Sequence, residues 1–300
     1  MKRSFTRIAI MGNPADTAAL ESVEAVTDHL SRSVDVVCVS AGLPAPNAPA
    51  EHASVNDSEM PSGADLVIAV GGDGTVLYAA RLASAHQIPV LGINRGRLGF
   101  LADIRPEDIQ SSIDSVLEGD FSSESRMLLN AEIFAGGKVI GQGVALNDIV
   151  IKRRETARML EYRTYVNDKY VNTHGGDGCI AATPTGSTAY ALSCGGPIIQ
   201  PGMDAIVLAP ICPHTLSDRP IVIPGSSITD IELLQNHGSQ ADVSGDGELI
   251  GTIETGDRLR ISVADQRVDL LHPPGYDYYG VLRSKLFWGR DTRDRQPPTD

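Results

Sequence analysis

The sequence has 300 residues, 42% hydrophobic and 21% charged, as in a soluble globular protein long enough for two domains. Its 25 basic and 38 acidic side chains give a net charge of −13, which argues against non-specific binding to nucleic acid or to an anionic membrane. The four cysteines have no C-x-x-C spacing, and no apolar run has the length of a signal peptide or a transmembrane helix. We therefore expect a cytoplasmic protein with free thiols.

Residues 1–125 alternate strand and helix patterns, which predicts an α/β domain with a parallel sheet covered by helices. The predicted strands are 7–11, 34–39, 66–70 and 89–93. The predicted helices are 17–30, 76–86 and 106–117, and residues 43–63, rich in Pro, Ala and Ser, are predicted to form a loop. Ligands of such sheets bind at the carboxyl ends of the strands.

Residues 126–272 show short strand patterns separated by Gly, Asn and Asp turns, which predicts an all-β domain, a β-sandwich or a related fold. The predicted strands are 127–134, 139–144, 148–152, 160–166, 169–171, 205–209, 221–223, 228–234, 249–253 and 259–263. Residues 276–288 are partly helical in pattern. We expect residues 273–300 to form a C-terminal segment that packs on the N-terminal domain.

The stretch Gly71–Thr75 (Gly-Gly-Asp-Gly-Thr) lies between a predicted buried strand and a predicted helix. A glycine turn in this position presents backbone N–H groups at the positive end of a helix dipole, which suits phosphate. The carboxylate of Asp73 would repel phosphate, so it suggests a catalytic or metal-linked role in phosphoryl transfer. The stretch lacks the lysine of a P-loop and the third glycine of the dinucleotide fingerprint. An ordinary tight turn is the alternative.

Two further Gly-Asp-Gly triplets, 176–178 and 245–247, lie between strand-like segments and are predicted to be hairpin turns. Residues 182–197 are dense in small hydroxyl residues and glycines, which favours a ligand-binding segment over a plain polar loop. Asn147 and Asp148 begin a predicted strand. They are either an Asx cap or an amide and carboxylate that grip a diol, with Asp177 as a partner acid.

Together these stretches resemble the bacterial NAD kinases, and the resemblance extends from Ile8 to Trp288. The motifs that carry it are 71–75, 92–101, 147–148 and 183–190. The resemblance implies an α/β domain, a C-terminal β-sandwich, and transfer of the γ-phosphoryl group of ATP to the 2′-hydroxyl of the adenosine ribose of NAD, giving NADP. It also implies a homodimer or homotetramer. Mg²⁺ or another divalent cation would come with ATP rather than occupy a protein metal site.

The resemblance implies roles for individual residues as well. Asp73 would orient or deprotonate the ribose 2′-hydroxyl, while Gly71, Gly72, Gly74 and Thr75 form the phosphate loop. Asn147 and Asp148 would grip ribose hydroxyls, although the family has Glu at the position of Asp148. The remaining expected NAD contacts are Gly74, Phe100, Arg158, Gly175, Asp177, Thr188, Ala189, Tyr190, Ser193 and Glu248.

Two positions depart from the family pattern. Many members have Arg at the position of Gly175, whereas the variants that accept NADH besides NAD⁺ have a small residue there. We therefore expect relaxed use of NADH. Glu248 stands where the family often has Gln, and its carboxylate would disfavour a nearby pyrophosphate unless it is paired or exposed.

Two other classes of function stay open at this point. The first is another kinase with a Gly-Gly-Asp-Gly loop. A lipid kinase should offer an apolar or basic surface, however, and a phosphofructokinase should continue with α/β units. The second is an NAD-binding regulator without activity, against which the intact Asp73 argues. The residues do not decide between ATP and polyphosphate as the phosphoryl donor.

Overall fold

The computed structural model describes residues 4–34, 36–40, 42–43, 56–57, 59, 63–95, 99–154, 159–215, 217–234 and 240–287. The chain divides into two compact units: unit 1 comprises residues 1–124 and 269–300, and unit 2 comprises residues 125–268. Most of the loop predicted at 43–63 lies outside the described residues.

The helices of the described residues are α1 (Thr17–Ser31), α2 (Asp73–Ser84), α3 (Ile109–Glu118), α4 (Tyr190–Ser193) and α5 (Tyr278–Leu286). The first four strands are β1 (Arg7–Gly12), β2 (Val36–Val39), β3 (Leu66–Val70) and β4 (Val90–Ile93). The next six are β5 (Ser122–Ala135), β6 (Lys138–Ala145), β7 (Asp148–Arg153), β8 (Leu160–Val166), β9 (Lys169–Gly176) and β10 (Gly178–Ala182). The last six are β11 (Ala205–Ile211), β12 (Ile221–Pro224), β13 (Thr229–Leu233), β14 (Ala241–Gly245), β15 (Glu248–Ile253) and β16 (Arg258–His272).

Unit 1 contains a parallel sheet in the order β2-β1-β3-β4. The last residues of β16 extend it, since Leu270 and Leu271 pair in parallel with Val90 and Leu91 of β4. Every residue of β3 is buried, as expected where both faces of a parallel sheet are covered. The predicted α/β domain is therefore confirmed. Because the strands are parallel, the segments that follow β1, β3 and β4 all start at one edge of this sheet.

Unit 2 contains two sheets. The first is antiparallel, in the order β12-β11-β10-β7-β14-β15. The second has the order β16-β13-β8-β9, and β5 pairs with both β16 and β6. Alternate residues of both sheets form one core, for example Leu129, Ala131 and Ile133 of β5 with Ile149 and Ile151 of β7. The predicted β-sandwich is confirmed.

The other face of the six-stranded sheet is also covered. Val150, Ile180 and Ala182 pack there against Ala191 and Ile199, which belong to the segment that follows β10. Apolar contacts of Ala191 and Ile199 therefore hold residues 183–199 against the sheet. Polar residues of this segment lie between these apolar contacts.

The structure differs from the predicted elements at several places, among them β5, which begins at Ser122 rather than 127, and β9, which ends at Gly176 rather than 171. Helix α2 begins at Asp73 rather than residue 76, and it ends at Ser84 before a turn in which Gln87 has a φ of 55°. Strands β10 and β14 were not predicted. Every residue of β10 is buried, so it lacks the alternation of a half-buried strand. Strand β16 continues to His272 through a polar stretch at 264–267 that interrupts its pattern.

Candidate active site

In unit 1 the Gly71–Thr75 loop joins β3 to α2. Gly72 is the N-cap of α2, and Asp73 is its first residue, a position in which a carboxylate interacts favourably with the helix dipole. A Cβ atom on Gly71 would collide with the side chain of Thr75. By contrast, a Cβ atom on Gly72 or Gly74 would meet nothing within 4 Å. Gly71 is therefore required by packing, whereas Gly72 and Gly74 border open space.

The carboxylate of Asp73 is held by the backbone of the segment after β4. Its Oδ2 accepts a hydrogen bond from the N–H of Phe100 at 2.9 Å. Its Oδ1 accepts bonds from the N–H groups of Leu101 at 3.0 Å and Ala102 at 3.3 Å. A Cβ atom on Gly99 would collide with this carboxylate. The acid that seemed out of place in a phosphate loop is thus turned toward backbone donors of residues 100–102.

A cleft of about 730 Å³ lies beside the loop, at the carboxyl ends of β1 and β3. Gly72, Gly74 and Thr75 line one part of it, and residues 12–17 line another. Arg95 also borders the cleft and forms an ion pair with Asp16. Its volume is within the range of small-molecule sites, which is roughly 300–1,000 Å³.

In unit 2 the turn at Asn147 and Asp148 joins β6 to β7 and is held by Asp246. The Asp246 carboxylate accepts backbone N–H bonds from Leu146 at 2.7 Å, Asn147 at 2.7 Å and Asp148 at 3.2 Å. The Asp246 N–H in turn donates to the carbonyl of Asp148 at 3.0 Å. Asp246 therefore fixes the turn from a hairpin about a hundred residues away in the sequence.

The triplet 245–247 is a hairpin turn between β14 and β15, as predicted, with φ values of 49° at Asp246 and 85° at Gly247. The role of the Asp246 carboxylate was not predicted. The only signal was the third repeat of Gly-Asp-Gly, since hydrogen bonds between distant segments leave no local pattern.

Asp148 is buried. Burial in the first place, and the nearby Asp246 carboxylate in the second, raise the pKa of Asp148 from 3.8 to about 7. Asn147 is half-buried. The pair thus combines an amide with a carboxyl group that changes its protonation state near neutral pH.

The triplet 176–178 is not a hairpin turn, so this prediction was wrong. Gly176 ends β9, which pairs with β8, whereas Gly178 begins β10, which pairs with β7 and β11 in the other sheet. The chain therefore changes sheets at Asp177. A Cβ atom on Gly178 would collide with the carbonyl of Ile151, and one on Gly176 would lie 2.8 Å from that of Ile211. Both glycines permit the close approach that this crossing requires.

Asp177 forms an ion pair with Arg153, at 3.0 Å between Oδ1 and Nε. Both side chains are partly exposed, by 25% and 27% respectively. Gly175 lies two residues earlier in β9, opposite Glu161. A Cβ atom at Gly175 would lie 2.9 Å from the sulfur of Met159, which is the flexible end of a side chain.

The hydroxyl-rich segment divides into an inner and an outer set. The inner hydroxyls bond the chain itself: Thr183 Oγ1 donates to the Leu146 carbonyl at 2.5 Å, and Ser187 Oγ accepts from the Ile199 N–H at 2.9 Å. Both residues are fully buried. The expectation that the hydroxyls of this run face a ligand is therefore wrong for Thr183 and Ser187.

The outer set consists of the residues expected to contact NAD. Thr188 and Ala189 are half-buried, and Tyr190 and Ser193 are exposed. Burial raises the pKa of Tyr190, and the charges of Cys194, Cys212, Asp177 and Asp148 raise it further. The start of the hydroxyl-rich segment lies against the Asn147 turn, since the Thr183 N–H donates to the Asn147 carbonyl at 2.9 Å.

Three other predicted residues lie elsewhere. Glu248 is exposed at the start of β15, two residues beyond Asp246. Phe100 belongs to unit 1, where its side chain is half-buried and its N–H bonds Asp73. Arg158 lies outside the described residues.

The part of the chain that the structure describes has neither a cluster of metal ligands nor a membrane-spanning helix. No group of three or more His, Cys, Asp or Glu side chains there could hold a metal ion. No helix there is long and apolar enough to cross a membrane. The four cysteines, at 38, 179, 194 and 212, are free thiols.

Comparison with known proteins gives matches over most of the chain. Residues 8–121 match the ATP-NAD kinase N-terminal domain, and residues 146–272 match the ATP-NAD kinase C-terminal domain. The chain is 43% identical to an NAD kinase of Ectopseudomonas mendocina (strain ymp) over 291 residues, which cover 95% of this chain and 97% of that relative. It is 50% identical to an NAD kinase of Pseudomonas putida (strain W619) over 225 residues, 75% of this chain and 76% of that relative.

Two solved structures share the fold. Yeast NADH kinase complexed with NADH aligns with a TM-score of 0.87 at 24% identity, covering 97% of this chain and 90% of that one. An NAD kinase from Archaeoglobus fulgidus in complex with ATP aligns with a TM-score of 0.72 at 23% identity, covering 94% of this chain and 99% of that one.

Proposed function

The chain belongs to the ATP-NAD kinase family, and from this premise we propose how its residues carry out the reaction of that family. The protein is an NAD kinase, a phosphotransferase that uses ATP and NAD as substrates and forms NADP⁺. The proposal rests on the carboxylate of Asp73, which lies just after β3. Three backbone N–H groups of residues 100–102 hold this carboxylate in place.

Asp73 acts on the ribose 2′-hydroxyl of NAD. Its Oδ1 accepts two of the N–H bonds and its Oδ2 only one, so Oδ2 keeps a lone pair that can accept a hydrogen bond from the hydroxyl. The hydroxyl proton passes to the carboxylate as the oxygen attacks the γ-phosphorus of ATP, and ADP leaves with the electrons of the broken bond. Because the carboxylate is held in place before substrate arrives, little reorganisation is needed at the moment of reaction.

The ATP phosphates lie in the cleft beside the Gly71–Thr75 loop. Open space around Gly72 and Gly74 lets phosphate oxygens approach the backbone at the start of α2. Arg95 offers a cation at the border of the cleft. A divalent cation such as Mg²⁺, bound with ATP, would neutralise charge on the ATP phosphates.

NAD binds through residues of unit 2. Asn147 and Asp148 grip the ribose hydroxyls, since an amide and a carboxyl group together supply donors and acceptors for a diol. Asp177 contacts the nicotinamide end. The wall for the adenine and its ribose is formed by Thr188, Ala189, Tyr190 and Ser193, while Phe100 and Arg158 make further contacts. Glu248 also contacts NAD, and because its side chain is exposed, solvent screens the repulsion between its carboxylate and the pyrophosphate.

Three further properties belong to the proposal. The small residue at Gly175 leaves space for the puckered dihydronicotinamide, so the enzyme also phosphorylates NADH. The protein forms a homodimer or a homotetramer, which light scattering of the purified chain measures. Its four free thiols favour a reducing compartment, the cytoplasm.

The experiment is an assay for NADP⁺ with purified protein, NAD⁺, ATP and Mg²⁺. A dehydrogenase specific for NADP⁺ detects the product, and parallel reactions omit the cation or replace ATP with polyphosphate. We expect NADP⁺ when ATP and the cation are both present. If NAD⁺ binds and no donor yields NADP⁺, the proposed function is wrong and the chain is an NAD-binding protein without this activity.

A further inference from the structure

In unit 1 a buried histidine contacts the residue that directly follows the N–H donors to Asp73. His272 is the last residue of β16, and 1% of its side chain is exposed. Because Leu270 and Leu271 pair in parallel with β4, His272 reaches the same sheet edge as the segment that follows β4. Asp103 in that segment directly follows Ala102, one of the N–H donors to Asp73.

The ring of His272 lies between two carboxylates. Its Nδ1 is 2.8 Å from Oδ2 of Asp103, and its Nε2 is 3.6 Å from Oε2 of Glu124. The ring of Tyr276 stacks on it, with centroids 3.7 Å apart and an interplanar angle of 8°. Nδ1 is thus within hydrogen-bond distance of Asp103, whereas Nε2 has no hydrogen-bond partner within the described residues and faces Glu124 as an ion pair when the ring is protonated.

Asp103 depends on this contact. Its side chain is 9% exposed, and its Oδ1 has no hydrogen-bond partner within the described residues. Without His272 the Asp103 carboxylate would be buried with no opposite charge beside it, which strongly destabilises a folded arrangement. The segment would then move so that Asp103 reaches water.

Residues 99–104 transmit such a movement to Asp73 because they are tightly bonded. The Asn94 N–H donates to the Ile104 carbonyl at 2.8 Å, and the Gly99 N–H donates to the Ala102 carbonyl at 2.9 Å. Asn94 Nδ2 also donates to the Ala102 carbonyl at 3.2 Å. A displacement of Asp103 therefore shifts the N–H groups of residues 100–102.

We propose that His272 is a positioning residue for phosphoryl transfer, whose protonated ring fixes Asp103 and thereby the backbone donors that hold Asp73. This inference rests on the proposed function, in which Asp73 accepts the proton of the 2′-hydroxyl. It adds a residue of β16 that touches neither substrate nor the reacting atoms.

The titration of His272 gives the inference a direction. Burial of the ring disfavours its charged form, but the two carboxylates outweigh burial and raise the pKa of His272 above its ordinary value of 6.5. The ring is charged below this raised pKa and loses its charge as the pH rises through it. Turnover should therefore fall as the pH rises through the raised pKa and the ring becomes neutral, which gives the pH profile an alkaline limb.

The test compares His272→Gln with Asp103→Asn and a matched control, His29→Gln. His29 also pairs with an acid, Asp114, at 2.7 Å, but on the surface between α1 and α3. Amide hydrogen exchange of residues 99–104 is measured first, since it needs no activity. Then kcat and KM for NAD⁺ are measured between about pH 6 and pH 10, a range that extends upward from near the ordinary histidine pKa.

In His272→Gln we expect exchange of residues 99–104 to rise at least about tenfold and kcat to fall about 10- to 100-fold with KM within about twofold, as misplacement of a catalytic group predicts. The alkaline limb should disappear in this variant. In Asp103→Asn the alkaline limb should move to lower pH, because this variant keeps the His272 ring but lacks one of the two carboxylates beside it. The control should match the wild type.

Unchanged exchange in His272→Gln would overturn the inference, as would an alkaline limb that persists in this variant. If the wild type makes no NADP⁺, the proposed function fails, while the exchange measurement still decides whether His272 orders residues 99–104.

Discussion

Replacement of Asp246 by Asn tests whether this hairpin acid holds the Asn147–Asp148 turn. An Asn side chain can keep its carbonyl oxygen toward the N–H groups of Asn147 and Asp148, but its NH₂ group then faces the N–H of Leu146. One hydrogen bond to a charged acceptor, 2.7 Å long in the wild type, is lost, at a cost of about 1.5–3 kcal/mol. The two remaining bonds weaken by roughly 0.5–1 kcal/mol each as their acceptor becomes neutral.

Removal of the Asp246 charge also relieves its repulsion of the buried Asp148 carboxylate, which offsets part of this loss. We therefore expect a net destabilisation of about 2–3 kcal/mol, or a Tm about 5–10 °C lower at the usual 2–4 °C per kcal/mol. The displaced turn should also weaken NAD⁺ binding about tenfold or more. Calorimetry measures both quantities on the same samples.

Asp257→Asn is the matched control. Its carboxylate accepts one bond, from the exposed N–H of Glu254 at 2.9 Å, so its removal should change stability by less than about 0.5 kcal/mol. If Asp246→Asn is as mild as the control, Asp246 does not hold the turn. A lower Tm with unchanged NAD⁺ affinity would also refute the reasoning, because Asp246 would then stabilise only its own hairpin.

Three other substitutions have expected outcomes. Between about pH 4 and pH 7 folded Asp148 holds a proton that the unfolded chain releases, so its contribution to stability falls as the pH rises, by at most about 4 kcal/mol. The Tm of Asp148→Asn should therefore fall less over this range than the Tm of the wild type. Parallel Tm curves for the two proteins would contradict this. Asp177→Ala should raise KM for NAD⁺ more than it lowers kcat, because it holds a part of NAD remote from the reacting hydroxyl; steady-state kinetics beside Arg153→Ala separates this from loss of the ion pair, and the reverse pattern would place Asp177 in the chemistry. Gly175→Arg should lower the ratio of kcat/KM for NADH to that for NAD⁺ about tenfold, since the Arg side chain fills the space beside Met159. If repulsion between Arg and the cationic nicotinamide dominated, this ratio would rise instead. A wild type that is inactive on NADH would contradict the proposed use of NADH.

The architecture could be predicted because the two halves of the chain differ in the spacing of their hydrophobic residues. The buried runs of β1, β3 and β4 alternate with amphipathic helices, which is the pattern of a parallel sheet. Regular turns mark most strands of unit 2. Strand β10 escaped because both of its faces are buried, so it shows no alternation, and the polar residues in the middle of β16 hide its length.

The candidate site divides in a similar way. Asp73, Asn147 and Asp148 could be singled out because each stands at a strand end in an unusual local motif. The partners of these residues could not be found, since Asp246 is a hundred positions from Leu146 and is marked only by a turn. Likewise, nothing in the sequence distinguishes the fully buried hydroxyls of Thr183 and Ser187 from that of the half-buried Thr188, which donates to the Thr185 carbonyl at 3.3 Å.

The most direct test of the account is the turnover of Asp73→Asn, measured as NADP⁺ formed from NAD⁺ and ATP. The control is Asp65→Asn, which replaces another carboxylate that accepts backbone N–H bonds, from Thr6 and Arg7 at 3.0 Å each. If Asp73 accepts the proton, kcat should fall on the order of 10²–10⁴-fold, while NAD⁺ still binds and the control keeps its turnover. Near-normal turnover in Asp73→Asn would contradict the account.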